Sequence, residues 1–152
     1  MSLKHLEKPK TYKIAIFTSK ALEDSEFISN HIGDKVQNIE HIYTNGASSA
    51  VADFATTYGI PYTIYPIAVK GLPWSISNVL DNVVFTYIFA DNRSKSSIQI
   101  ENECGKRKIK YLKIEFEAAK YYKEKIEKIG GILSVIPEEE KSNWYKQIEK
   151  IV

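Results

Sequence analysis

Along this chain, short and nearly continuous apolar runs alternate with longer stretches whose apolar residues recur at helical spacing, and that pattern predicts strands alternating with helices. Tyr12-Lys13-Ile14-Ala15-Ile16-Phe17 is almost unbroken, as expected of a parallel strand buried on both faces. A helix follows through Phe27, Ile28 and Ile32 and ends near Gly33. His41-Ile42-Tyr43 predicts a second strand, Thr44-Asn45-Gly46 a turn, and Ala47-Ser48-Ser49-Ala50 a helix start. That helix carries Val51, Ala52, Phe54, Ala55 and Tyr58 until Gly59 and Pro61 stop it. Tyr62 to Tyr65 reads as a third strand, Pro66 and Pro73 bracket a loop, and Trp74 to Leu80 reads as a short helix. Val83 to Phe89 is the most β-like run and is expected to be a central strand. A helix from Ser97 to Cys104, closed by Gly105-Lys106-Arg107-Lys108, leads to a fifth strand, Ile109 to Ile114.

Five strands alternating with four helices imply a parallel sheet, and the strand order 3-2-1-4-5 is expected. The fold class is therefore α/β, a Rossmann-like three-layer sandwich with a mostly parallel sheet of about five strands and a C-terminal helical extension. Residues 1–11 form a polar lead-in, 12–115 the Rossmann-like domain and 116–152 the extension. In the extension, Glu115 to Ile129 is a charged amphipathic helix that Gly130-Gly131 should break. Ile132 to Ile136 then reads as an extra strand, and Pro137-Glu138-Glu139-Glu140 opens a helix with the apolar stripe Trp144, Ile148 and Ile151. These pieces either pack on the sheet or make a dimer contact, which the ten tyrosines permit.

Three polar loops then fall at the carboxyl ends of strands, where open α/β sheets bind ligands. Thr18, Ser19 and Lys20 follow the first strand; Asn45, Gly46, Ala47, Ser48 and Ser49 follow the second; Arg93, Ser94, Lys95, Ser96 and Ser97 follow the fourth. The last two loops open helices, whose unpaired N–H groups and dipole suit an anion such as phosphate, and Arg93 and Lys95 add cations. The predicted strand order brings the three loops to one crevice. The first two have a plainer reading: Asn45-Gly46 as a turn with small residues that let the helix approach the sheet, and Thr18 to Lys20 as a solvated loop with Asp24 or Ser25 capping the next helix. Trp74 either walls a base-binding pocket or is core.

Composition narrows the classes further. With 152 residues, 43% hydrophobic and 26% charged, the chain is long enough for one globular core. Its 21 Lys+Arg against 19 Asp+Glu leave a net charge of +2, which does not call for nucleic acid or an anionic membrane. One cysteine, Cys104, excludes an internal disulfide framework and, with three dispersed histidines, argues against a structural zinc site; the cytoplasm is the expected compartment. No run of about 18 apolar residues exists and the start lacks an apolar signal region, so neither a membrane helix nor a secretion signal is expected.

The order and spacing of these pieces resemble the Rossmann-like SLOG superfamily, which joins the DNA-processing protein A domain and the LOG phosphoribohydrolases, and within it the YspA-like subgroup. That subgroup's strand ending in G-S-R corresponds to Thr18-Ser19-Lys20, and its H-G-G-A-R-G-A-D run to Thr44 through Val51. Its G-x-P-V and F-P pieces correspond to Gly59-Ile60-Pro61-Tyr62 and Tyr65-Pro66, its D-G-x-S-x-G-T run to Asp91 through Ser97, and its G-K-P to Gly105-Lys106. The resemblance covers about residues 12–115. The chain departs from it at Asn45, Ser48, Ser49 and Ser96, where the pattern has glycine, arginine or another small residue. The LOG signature would need a glutamate at position 100, which is Ile100, while Glu101 is one residue out of register and turned by about 100° on a helix.

The resemblance implies binding of a nucleotide or nucleotide-derived small molecule at the strand ends, by a sensor or sequestering protein; the extension leaves a homo-oligomer open. Phosphate contact falls to Ser19, Lys20, Gly46, Ala47, Ser48 and Ser94 to Ser97, with Arg93 as the charged partner. No catalytic residue, metal ligand or cofactor is assigned. A nucleotide-processing hydrolase, of phosphoribohydrolase or N-glycosidase type, would need a crevice carboxylate from Asp24, Asp53, Asp91 or Glu101. A nucleic-acid-binding or protein-interaction module is the further alternative, the former using Lys20, Arg93, Lys95 and the Lys106 to Lys110 cluster.

Overall fold

The computed structural model describes residues 10–92 and 95–133. Five strands, β1 (Tyr12–Thr18), β2 (Ile39–Thr44), β3 (Tyr62–Ile64), β4 (Phe85–Asp91) and β5 (Lys110–Phe116), form one sheet in the order β3-β2-β1-β4-β5. All four pairings are parallel. The helices are α1 (Ser25–Ile32), α2 (Ala50–Thr57), α3 (Ile67–Lys70), α4 (Leu72–Leu80), α5 (Ser96–Arg107) and α6 (Ala118–Leu133), with a 3₁₀ stretch at Gly33–Asn38.

The alternation within β1 and β4 explains why their apolar runs are continuous. Ile14 and Ile16 join Tyr87 and Phe89 against α1 and α2 in one core, where Ile28, Ile32, Val51 and Phe54 are buried. Ala15 and Phe17 join Ile88 and Ala90 against α4 and α5 in a second core, with Ile76, Val79, Ile100 and Cys104. Helices thus cover both faces, and the sheet is the middle of three layers. Full burial of an aromatic side chain such as Phe17, Phe54 or Phe89, each 0% exposed, contributes about 1.5–3 kcal/mol.

Local chemistry sets the element ends. Asp24 has extended backbone angles and accepts a hydrogen bond from the Glu26 N–H at 2.9 Å, which caps α1. Gly59 closes α2 with φ +67°, and Ile60 N–H returns to the Ala55 carbonyl at 2.8 Å. Pro73 sits in the first turn of α4, where its missing N–H costs nothing.

Several boundaries differ from the sequence expectation. The helix expected to start over Ala47–Ala50 starts at Ala50, because side chains of the preceding turn take the backbone donors first. The segment between Pro66 and Pro73 contains the single turn α3 rather than only loop. β4 starts at Phe85, two residues late. α5 runs past Gly105 and closes at Lys108, which takes the left-handed conformation at φ 57°. β5 reaches Phe116 and α6 starts at Ala118, not Glu115. Gly130 and Gly131 do not break α6, which continues through them to Leu133. A glycine costs a helix interior only about 1 kcal/mol relative to alanine. Ile132 and Leu133 are therefore helical rather than the start of a strand. The rest of that segment and the helix expected from Pro137 lie outside the described residues.

Candidate functional site

The sheet order reverses between β1 and β4, so their carboxyl ends diverge to opposite neighbours and leave a crevice between the loops that follow. Thr18, Ser19, Lys20 and Ala21 line it from β1, Asn45 and Ala47 from β2, Asp91 and Ser96 from β4 and α5, and Ile67 and Leu72 from the α3–α4 corner. Its volume is about 520 Å³, within the range of small-molecule sites. Clefts of similar volume lie at the amino ends of β1 and β4, where Tyr12, Ile14, Val84 and Phe85 give an apolar lining, and beside β5 and α6. The first joins residues from the carboxyl ends of β1, β2 and β4, the cleft beside α6 those of β4 and β5, and the apolar one lies at amino ends alone.

Within it, the predicted residues divide by what already holds them. Ser19 is 8% exposed; its N–H donates to the Phe89 carbonyl at 2.9 Å, and its Oγ accepts from the Asp91 N–H at 2.9 Å. Asn45 is buried, and its Oδ1 accepts from the Ala47 N–H at 3.0 Å, an Asx turn. Ser48 accepts from the Ala50 N–H at 3.0 Å and donates to the Leu22 carbonyl, which ties the β2–α2 loop to the β1–α1 loop. Its hydroxyl is thus turned to a neighbouring loop, and Ser48 does not line the crevice. Neither does Gly46, which serves the turn: φ is +69°, and a Cβ there would stand 2.7 Å from Ile64 Cγ2. Ser49 is exposed at the start of α2 without a side-chain cap bond.

Thr18 is different. It is 6% exposed, and its Oγ1 has no hydrogen-bond partner among the described residues. Ser97, 3% exposed in the first turn of α5, likewise has an Oγ without a partner among the described residues. Both line a small cavity of about 10 Å³ beneath the crevice, with Ser19 and Ser96. Lys20 and Lys95 are exposed, and Lys20 reaches the crevice wall. Arg93 and Ser94 lie outside the described residues.

Of the four carboxylates considered, Asp91 lines the crevice; it is 7% exposed, and one of its oxygens accepts from the Ala118 N–H at 3.4 Å. Asp24 caps α1 and accepts from the Tyr121 hydroxyl at 2.8 Å, Asp53 is exposed on α2, and Glu101 pairs with Lys113 at 3.2 Å. Trp74 is not in the crevice lining; its ring packs edge to face on Tyr65, 6.0 Å between centroids. The basic run is also divided by its contacts. Arg107 donates to Glu103 at 3.0 Å, Asp81 at 2.5 Å and Ser77 Oγ at 2.8 Å, joining α5 to α4, while Lys106, Lys108 and Lys110 are exposed.

Sequence reasoning missed Ile67 and Leu72, the apolar wall. The pair of prolines flanking them was the available signal, since a bracketed segment after the strand beside β2 must turn back over the same end of the sheet. Burial pushes the Cys104 thiol upward, away from reactive thiolate. Among the described residues no group of three or more His, Cys, Asp or Glu side chains could hold a metal ion. No helix among them is long and apolar enough to cross a membrane. No family model, no curated protein and no solved structure matches this chain.

Proposed function

We propose that the crevice binds a nucleotide or nucleotide-derived small molecule, and that the protein acts as a sensor or sequestering protein. The observation that carries this reading is the buried Thr18 hydroxyl, without a partner among the described residues, at a crevice into which three strand-end loops converge. An unpaired buried hydroxyl costs about 1–3 kcal/mol, so a ligand that supplies its partner gains from it. The start of α5 beside Ser96 suits a phosphate, and Lys20 adds a cation at the rim. Ala21, Ala47, Ile67 and Leu72 supply apolar surface for a sugar or base.

A thermal-shift screen of the intact protein against nucleoside monophosphates, cyclic and linear oligonucleotides and ADP-ribose derivatives tests this. A ligand at 100 times its dissociation constant should stabilise the fold by about 2.7 kcal/mol. A shift that Thr18→Val abolishes, with the variant still folded, supports the reading. No shift with any compound rejects it.

One observation favours the hydrolase as a second reading: Asp91 brings a carboxylate to the crevice, as a general base would require. Turnover of a compound that binds, lost in Asp91→Asn with binding retained, would select it.

A further inference from the structure

The extension beyond β5 reaches back to the crevice. Along one face of α6, Ala118, Tyr121, Tyr122 and Lys125 recur at helical spacing. Ala118 N–H donates to Asp91 Oδ1 at 3.4 Å, at the end of β4. One turn on, the Tyr121 hydroxyl donates to Asp24 Oδ2 at 2.8 Å, and the Tyr122 hydroxyl accepts from the Glu23 N–H at 2.8 Å. Lys125 then pairs with Asp24 and, at 3.5 Å, with Glu26. The Tyr121 ring also packs edge to face on Phe27, 5.2 Å between centroids.

Glu23 and Asp24 close the loop whose first part, Thr18 to Ala21, is a crevice wall. Between them Leu22 is fully buried, its N–H donates to the Ser19 carbonyl at 3.1 Å, and its carbonyl accepts from Ser48. The six residues from Ser19 to Asp24, without regular structure, would ordinarily be the most mobile part of such a site. Here it is held from inside by Ser19 and Ser48 and from outside by two tyrosine hydroxyls on one helix turn. We infer that Tyr121 and Tyr122 are positioning residues: through Glu23 and Asp24 they hold the β1–α1 loop in the shape that makes the crevice wall. Rotation of α6 away from the sheet would release that loop and the Asp91 contact together. Docking of α6 and occupation of the crevice then stabilise one another, a consequence that rests on the ligand reading above.

Amide hydrogen exchange on the full-length protein tests the inference without any ligand. In Tyr121→Phe/Tyr122→Phe, which keeps both rings, the Ser19 and Leu22 amides should exchange at least tenfold faster while Ile42 and Ile88 keep their wild-type rates. Rates at Ser19 and Leu22 within twofold of wild type would overturn the positioning role. So would an equal rise at all four amides, since that reports a general loss of stability. Adenosine 5′-monophosphate supplies the second arm. If it slows exchange at Leu22 and in the first turns of α6 in the wild type, the coupling holds. If the double variant loosens Leu22 but the nucleotide changes nothing in the wild type, the positioning role stands and coupling to a nucleoside monophosphate falls.

Discussion

Ser19 Oγ accepts a hydrogen bond from the Asp91 N–H at 2.9 Å, joining the carboxyl ends of β1 and β4 where the sheet order reverses. The bond is buried and spans 72 positions of sequence. The Ser19 N–H to Phe89 carbonyl bond, at 2.9 Å, runs beside it.

Ser19→Ala should therefore cost about 1–3 kcal/mol, because it removes the hydroxyl to which the buried Asp91 N–H donates. Urea unfolding measures this as a lower midpoint at unchanged slope. A loss below about 0.5 kcal/mol would mean that water reaches that N–H.

Gly46 faces two separate obstacles to substitution. Gly46→Ala forces a side chain onto φ +69° and a Cβ within 2.7 Å of Ile64 Cγ2, and should destabilise by about 2–4 kcal/mol as the two costs combine. Ile64→Ala removes the second obstacle but not the first. In a double-mutant cycle followed by thermal melting, Gly46→Ala should cost less in the Ile64→Ala background than in the wild type.

At the end of α5 the opposite change should stabilise. Lys108 holds φ 57°, a left-handed conformation that costs a side-chain-bearing residue about 1–2 kcal/mol and glycine almost nothing. Lys108→Gly should gain about 0.5–1 kcal/mol in chemical denaturation, after the greater chain entropy of glycine in the unfolded state is subtracted. Any loss of stability would show that the Lys108 side chain is doing more than closing the helix.

Burial pushes the Tyr121 hydroxyl up to about 12, with the Glu26 carboxylate and Tyr122 adding to it. The folded state thus favours the protonated phenol more strongly than the unfolded chain, whose tyrosines titrate near 10. Its contribution to stability is whole below pH 10 and is lost as pH rises from 10 through 12. Over that interval the melting temperature of the wild type should fall further than that of Tyr121→Phe. Parallel curves would mean that the hydroxyl is solvated.

The alternation of strands with helices and the three polar loops were legible in the chain because both follow from local pattern. Continuous apolar runs such as Ile14 to Phe17 demand burial on two faces, and burial on two faces in an alternating chain leaves a parallel sheet. The length of α6 was not legible: Gly130 and Gly131 are punctuation in a sequence, yet each costs a helix only a small amount that the other turns can carry.

What the sequence determined by itself is the α/β alternation and which loops stand at the carboxyl ends of strands, since these depend on hydrophobic period and on residues close in the chain. The order β3-β2-β1-β4-β5 agrees with the expectation from the fold class, but packing selects it over 2-1-3-4-5. What the tertiary structure decided is the state of each polar group. Ser19 and Ser48, adjacent candidates in composition to Thr18, spend their hydroxyls on Asp91 and Leu22, whereas the Thr18 hydroxyl is left without a partner among the described residues. It also decided that Ile67 and Leu72 would wall the crevice and that Tyr121 and Tyr122 would hold its loop from about 100 positions away. A hydrogen bond is directional and short, so whether a hydroxyl is free or taken depends on which atoms long-range packing brings within about 3 Å, and local pattern carries no record of that.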